Sequence, residues 1–127
     1  MAHILIVEDY PNIQQVYQTI LESRGHEVVV ATDGDEALQQ TAKQQPDIIL
    51  LDLLMAKVGG LEFLQRYKIA DHPGTKVIVL SNLSSPELAQ EAKQLGAAKY
   101  LLKASVTPEA LLEEVEQTLG EKGRGKK

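Results

Sequence analysis

Five short apolar runs alternate with segments of helical periodicity along this chain, and this alternation limits the possible folds more than any other feature. Each run is rich in aliphatic residues, and a segment follows in which apolar residues recur at helical spacing. Strands that are apolar on both faces are typical of a parallel sheet covered by helices on both sides. The predicted strands are 3–7, 27–31, 47–52, 76–81 and 98–103.

Proline, glycine and capping residues mark where the predicted helices begin and end. Pro11 lies near the start of the first helix, and Gly25 lies just past its end. The stretches 84–87 and 107–109 each place serine or threonine before proline and glutamate, which predicts the starts of the fourth and fifth helices.

Right-handed crossovers leave few topologies for five strand–helix units. We expect a doubly wound α/β fold of flavodoxin-like type, with strand order 2-1-3-4-5. No internal boundary interrupts the alternation. We therefore expect one domain over residues 1–119, followed by a flexible basic tail over 120–127.

Charge and composition exclude several classes of function. The formal net charge is −5, and the tail carries four cations, so the rest of the chain is acidic. An acidic body argues against direct nucleic-acid binding, which requires clustered lysine and arginine. No apolar stretch approaches the roughly 18 residues of a membrane helix. Cysteine is absent, which excludes thiol chemistry and is compatible with a reducing compartment, so we expect a cytoplasmic protein without membrane contact.

Polar residues end four of the predicted strands. In this fold the carboxyl ends of parallel strands form the ligand-binding edge. Three carboxylates gathered there would repel one another and raise one another's pKa unless a cation joined them. Mg²⁺ prefers such oxygen ligands and pairs with phosphates. The residues are Glu8 and Asp9 after strand 1, Asp52 ending strand 3, Ser81 and Asn82 at strand 4, and Lys103 at strand 5.

Each of these residues alone has an ordinary explanation. The acids Glu8 and Asp9 suit the start of a helix, where negative charge is favourable. Ser81 and Lys103 are unremarkable at a strand end and on a surface. Asp52 is different, because it lies within an apolar run, where an unpaired ion is costly.

The order and spacing of these residues resemble the receiver domain of two-component response regulators. The resemblance covers residues 3–119. It consists of the acid pair after strand 1, Asp52 with Gly60 eight residues later, Ser81 at the end of strand 4, and the run from Tyr100 to Lys103.

The resemblance implies a role for each residue of the acidic edge. Asp52 would be the phosphoacceptor, forming an aspartyl phosphate. Mg²⁺ would be the cofactor, held by Glu8, Asp9, Asp52 and the backbone carbonyl of Leu54. Lys103 would pair with the phosphoryl group.

The same resemblance implies a switch and a gate. Ser81 and Asn82 would contact the attached phosphoryl group, and Ser81 and Tyr100 would change state with it. Leu54 and Leu83 occupy the two positions that flank the path of a hydrolytic water, and we expect both to exclude it.

Three departures from the family pattern affect the loops. Met55-Ala56 replaces the usual Met-Pro, and Asn82 replaces a smaller residue. Lys103-Ala104 replaces a Lys-Pro pair that is joined by a cis bond. Without proline a cis bond costs about 2.5–4 kcal/mol, so we expect this bond to be trans.

Three other functions are compatible with parts of this pattern. A phosphohydrolase of the haloacid dehalogenase type would need a second aspartate where Leu54 stands. A flavin-binding module would need a loop after strand 1 that can bind phosphate, but the corresponding loop of this chain is acidic. A pseudo-receiver that is not regulated by phosphorylation is the main alternative, and the complete set of site residues argues against it.

The resemblance also implies the partners. The phosphodonor would be a sensor histidine kinase, a phosphotransfer protein or a small molecule. A downstream effector protein would bind the fourth helix, fifth strand and fifth helix, around residues 86–119. We expect a monomer or a phosphorylation-dependent dimer. We also expect no enzyme activity beyond, at most, slow self-dephosphorylation.

Overall fold

Five parallel strands form one sheet in the computed structural model, which describes residues 2–53 and 58–124, the last four by their backbone alone. The order in the sheet is β2-β1-β3-β4-β5, so the predicted order and fold class are confirmed. The strands are β1 (His3–Val7), β2 (Glu27–Ala31), β3 (Ile48–Asp52), β4 (Lys76–Ser81) and β5 (Lys99–Leu102).

A helix follows each strand, and the predicted caps begin two of them. The side chain of Ser85 accepts a hydrogen bond from the Leu88 N–H at 3.2 Å, and that of Thr107 accepts one from the Ala110 N–H at 3.0 Å. The helices are α1 (Pro11–Glu22), α2 (Gly34–Lys43), α3 (Gly60–Tyr67), α4 (Pro86–Gln94) and α5 (Pro108–Arg124).

Some element boundaries differ from the predicted ones. Asp47 precedes β3 instead of opening it, and its carboxylate accepts a hydrogen bond from the His3 N–H at 2.9 Å. Lys103 lies beyond β5 and opens a 3-10 turn, Lys103–Ser105. The Lys103–Ala104 bond is trans, as expected, since the described residues contain no cis peptide bond.

The last helix is longer than the sequence suggests. It continues through Arg124, so the first five residues of the expected flexible tail are helical. Residues 125–127 lie outside the described part of the chain. Among the described residues, no helix combines the length and the apolar character that a membrane crossing needs.

The core consists of two apolar layers, one on each face of the sheet. Successive strand residues point to opposite faces, so neighbouring residues of one strand enter different layers. One layer packs strand residues such as Leu51 and Val79 against α2, α3 and α4, with Phe63 and Tyr67 at its centre. The other packs residues such as Leu50 and Ile78 against α1 and α5.

The strand register brings the predicted site residues to one edge. Val7, the last residue of β1, pairs with Leu51, so Glu8 emerges beside Asp52. Asp52 in turn pairs with Leu80, so Ser81 lies one residue further along β4. The parallel sheet therefore places these side chains together at the carboxyl ends of its strands.

Gly60 is held against the end of β3, where no side chain fits. Its N–H donates to the carbonyl of Leu53 at 3.1 Å. A Cβ atom at this position would lie 2.7 Å from the Asp52 carbonyl oxygen and 2.7 Å from the Leu53 Cα. Both are backbone atoms that cannot rotate away, so the close approach of α3 to Asp52 requires glycine.

We expect Gly60→Ala to lower the free energy of unfolding by about 1–3 kcal/mol, the usual range for overpacking a tight contact. Urea denaturation would measure the change. Gly74→Ala is the matched control, because a Cβ atom there meets nothing within 4 Å. Equal stabilities of the two variants would contradict the proposed contact.

Candidate functional site

Three carboxylates converge at the carboxyl edge of the sheet. Glu8 and Asp9 follow β1, and Asp52 ends β3. One carboxylate oxygen of each lies within 4.8 Å of the others. Glu8 is only 2% exposed and Asp52 only 4%, so water screens their mutual repulsion poorly.

Lys103 is the cation of the site. Its Nζ lies 2.6 Å from Glu8 Oε1 and 3.2 Å from Asp52 Oδ2, and its side chain is 9% exposed. Burial alone would lower the pKa of Lys103. The hydrogen bond to Glu8 and the charges of Glu8 and Asp52 outweigh burial, so the pKa is raised and the ammonium stays protonated.

Both carboxylate oxygens of Glu8 have protein partners. Oε1 contacts Lys103, and Oε2 accepts a hydrogen bond from the Tyr10 N–H at 3.2 Å. Burial raises the pKa of Glu8, repulsion from Asp52 adds to the rise, and the bond to Lys103 opposes it. Each oxygen of Glu8 therefore already has one partner, a contact to Lys103 or a hydrogen bond from Tyr10.

Asp9 is the carboxylate whose bonding is incomplete. Its Oδ1 is buried and has no hydrogen-bond partner among the described residues. A buried acceptor without a donor is unfavourable, and a bound cation would satisfy it. The residues present thus fit a hard cation such as Mg²⁺, whose preferred ligands are oxygens.

The net charge of the site also favours a divalent cation. Among the described residues around the edge, the three carboxylates face one ammonium, that of Lys103. Two negative charges remain when all four groups are ionised, and a divalent cation would offset them. The predicted further ligand, the carbonyl of Leu54, lies outside the described residues, as do Met55 and Ala56.

The predicted switch residues both bond the backbone of Leu83, in the loop between β4 and α4. Ser81 is fully buried, and its hydroxyl oxygen accepts a hydrogen bond from the Leu83 N–H at 3.1 Å. The phenolic hydroxyl of Tyr100 donates to the Leu83 carbonyl at 2.8 Å. Leu83 is 44% exposed, and Asn82 is exposed as well.

Two residues near the site had no role in the sequence interpretation. The side-chain amide of Gln14 donates to the Glu8 carbonyl. Tyr17 is buried, which raises the pKa of its hydroxyl, and the charges of Lys103, Glu8 and Asp52 also act on it. Their position in the sequence could have identified them, since both lie on the inward side of α1 within a few turns of the acid pair.

Comparison with protein families identifies the chain. Residues 4–116 match the family model described as the response regulator receiver domain. The chain belongs to this family. The resemblance stated from the sequence is therefore confirmed.

Relatives and solved structures agree with this assignment. The receiver domain is 32% identical over 100 residues to sporulation initiation phosphotransferase F of Bacillus subtilis, covering 79% of this chain and 80% of that protein. A CheY-like receiver domain protein from Methanospirillum hungatei superposes with a TM-score of 0.91 at 30% identity and covers 98% of both chains.

Other relatives are longer proteins. The receiver domain is 36% identical over 100 residues to the transcriptional regulatory protein ZraR of Escherichia coli. The matched region is 79% of this chain but only 22% of ZraR. The chain thus spans less than a quarter of that relative.

We expect Mg²⁺ to stabilise the receiver domain and Asp9→Asn to remove this effect. Above its dissociation constant, each tenfold rise in Mg²⁺ should add about 1.4 kcal/mol to the free energy of unfolding. Without metal, Asp9→Asn should unfold no more readily than wild type, because it removes one of three like charges. Urea denaturation at several Mg²⁺ concentrations would measure both.

The matched control is Asp71→Asn, which neutralises an exposed aspartate in the 3-10 turn after α3. It should keep the full response to Mg²⁺. A wild-type stability that does not depend on Mg²⁺ would contradict the metal assignment.

Proposed function

We propose that this receiver domain is a phosphorylation-dependent signalling switch in which Asp52 accepts a phosphoryl group with the help of Mg²⁺. The observation that carries the proposal is the position of Asp52. Its carboxylate lies 3.2 Å from the Lys103 ammonium and within the oxygen cluster of Glu8 and Asp9.

Asp52 and Lys103 would have different roles in phosphoryl transfer. An oxygen of Asp52 attacks phosphorus, and the bond from phosphorus to the donor's nitrogen or oxygen breaks. Lys103 is placed to pair with the phosphoryl oxygens. Such transfers depend mainly on positioning and charge neutralisation.

The cation-binding part of the proposal rests on Asp9 and Asp52. Asp9 Oδ1 is buried and has no hydrogen-bond partner within residues 2–53 and 58–124, whereas the oxygens of Glu8 already contact Lys103 and Tyr10. Glu8 would then act mainly by fixing Lys103 and by its charge. When bound, Mg²⁺ would offset the charge of the carboxylates and of the phosphoryl group.

We propose a histidine kinase or a phosphotransfer protein as the donor, with small phosphodonors as substitutes. The likeness to sporulation initiation phosphotransferase F and to a regulator such as ZraR supports this role. A cytoplasmic location is part of the proposal, and the lack of cysteine is compatible with it.

The proposed output is a surface change on α4, β5 and α5 that a downstream effector protein reads. Tyr100 lies on β5, and its hydroxyl is bonded to the loop that begins at Ser81. The domain itself would catalyse no further reaction beyond slow loss of its own phosphoryl group. A pseudo-receiver without phosphorylation is the alternative, and the completeness of the site disfavours it.

Asp52 should gain one phosphoryl group from a small acyl phosphate or phosphoramidate, but only when Mg²⁺ or Mn²⁺ is present. Intact-protein mass spectrometry would follow the gain. Asp52→Asn should abolish it, because an amide is not a nucleophile of this kind. If Asp52→Asn gained the same mass at the same rate, the nucleophile would be misassigned.

Ser81→Ala should still accept a phosphoryl group but should respond poorly to it. The Ser81 hydroxyl would bond the phosphoryl oxygen only in the modified state, so it shifts a conformational population and takes no part in the chemistry. NMR signals of the Tyr100 ring would report the response. Ser84→Ala, an exposed serine of the same loop, is the control. Equal Tyr100 changes in wild type and Ser81→Ala would rule out this coupling.

The phosphoryl group should be lost slowly, because neither Leu54 nor Leu83 can orient a water by hydrogen bonding. A Leu54→Asn, Leu83→Glu double variant should hydrolyse faster by one to two decades, or about 1.4–3 kcal/mol of barrier. The decay of the phosphorylated mass would measure the rates. A double variant no faster than wild type would show that the two leucines are not the gate.

A further inference from the structure

Gln14 connects the start of α1 to the turn that carries the acid pair. Its side-chain amide donates a hydrogen bond to the carbonyl oxygen of Glu8. Its backbone N–H donates to the carbonyl of Tyr10 at 3.0 Å. The side chain is half-buried and belongs to neither apolar layer of the core.

The bonded carbonyl belongs to the peptide that joins Glu8 to Asp9. A peptide unit is planar, so a bond to its oxygen fixes the plane from which both acidic residues project. The same turn is held at further points, among them the contact of Lys103 Nζ with Glu8 Oε1 at 2.6 Å. The Glu8 N–H donates to the Ala31 carbonyl at 3.0 Å, and the Tyr10 N–H donates to Glu8 Oε2 at 3.2 Å.

Of these contacts, the bond from Gln14 is the one that a side chain from outside the turn makes to the backbone of the turn. The bond to Ala31 continues the sheet, and the bond from Tyr10 lies within the turn itself. A substitution at Gln14 can therefore release the Glu8–Asp9 peptide while leaving the acidic residues and the sheet unchanged.

We propose that Gln14 is a positioning residue for the divalent-cation site. It fixes the Glu8–Asp9 peptide so that the carboxylate of Asp9 lies close to that of Asp52. Oδ1 of the same Asp9 carboxylate is buried and has no hydrogen-bond partner in the part of the chain that the structure describes. This inference rests on the proposed role of Mg²⁺. Groups that orient metal ligands without touching the metal commonly change its affinity by about 10- to 100-fold.

The test compares Gln14→Met with Gln15→Met. Methionine keeps the length and the helix propensity of glutamine but cannot donate the hydrogen bond. Gln15 is the matched control, because it is the next residue of α1 and is exposed. Electron paramagnetic resonance of free Mn²⁺ gives the dissociation constant directly, and calorimetry with Mg²⁺ gives a second value.

We expect Gln14→Met to raise the Mn²⁺ and Mg²⁺ dissociation constants about tenfold and Gln15→Met to leave them unchanged. Urea denaturation without metal separates positioning from a purely structural role. A lower unfolding midpoint with an unchanged dissociation constant would overturn the proposal, as would equal dissociation constants in Gln14→Met and wild type.

Gln14→Glu provides a second test, in which positioning and electrostatics change the cation affinity in opposite directions. It can be used if Gln14→Met does not fold. The carboxylate removes the donor but adds a negative charge near the site, so electrostatics alone would tighten cation binding. Positioning by Gln14 predicts weaker binding, and tighter binding would overturn it. A wild-type protein that binds neither ion would instead refute the proposed Mg²⁺ dependence itself.

Discussion

The buried contact of Lys103 with Glu8 and Asp52 is the interaction on which the rest of the site depends. Removing ions from water costs several kcal/mol each, and only close opposite charges with further hydrogen bonds offset that loss. Lys103 supplies the charge, and the Tyr10 N–H supplies one further bond to Glu8. The compensation remains partial, because the described residues of the site include three carboxylates and one ammonium. This imbalance is the physical basis of the proposed divalent-cation site.

The sheet makes this contact possible by bringing strand ends together from distant parts of the sequence. Glu8 follows β1, Asp52 ends β3, and Lys103 follows β5 at the far side of the sheet order. Side chains alternate between faces, so a slip of one residue in β3 would turn Asp52 away from its partners and expose the apolar layers. The same packing that stabilises the two layers therefore also fixes the geometry of the site.

The fold, and the convergence of Glu8, Asp9, Asp52 and Lys103 at one edge, could be predicted from sequence, because both follow from periodicity and strand ends. The finer arrangement could not. Among the described residues, both oxygens of Glu8 have partners and Asp9 Oδ1 has none. This difference depends on the backbone path of the turn at 8–10. Gln14 was missed for the same reason. Its partner is a backbone carbonyl, and such a hydrogen bond cannot be recognised from residue types and their spacing. The end of α5 was misplaced because glycines and charges within 120–124 suggested coil.

The hydrogen bonds around Leu83 give a physical basis for the proposed switch. The Ser81 oxygen accepts from the Leu83 N–H, which leaves its own O–H free to donate to a phosphoryl oxygen on Asp52. The Leu83 carbonyl accepts from Tyr100. In the proposed switch, a new bond from Ser81 to the phosphoryl group would act on the Asn82–Leu83 peptide, whose N–H bonds Ser81. Through Leu83 it would act on the next peptide, whose carbonyl accepts from Tyr100. The signal would then pass from Asp52 to β5 through the backbone of Leu83, without requiring a large movement of the sheet.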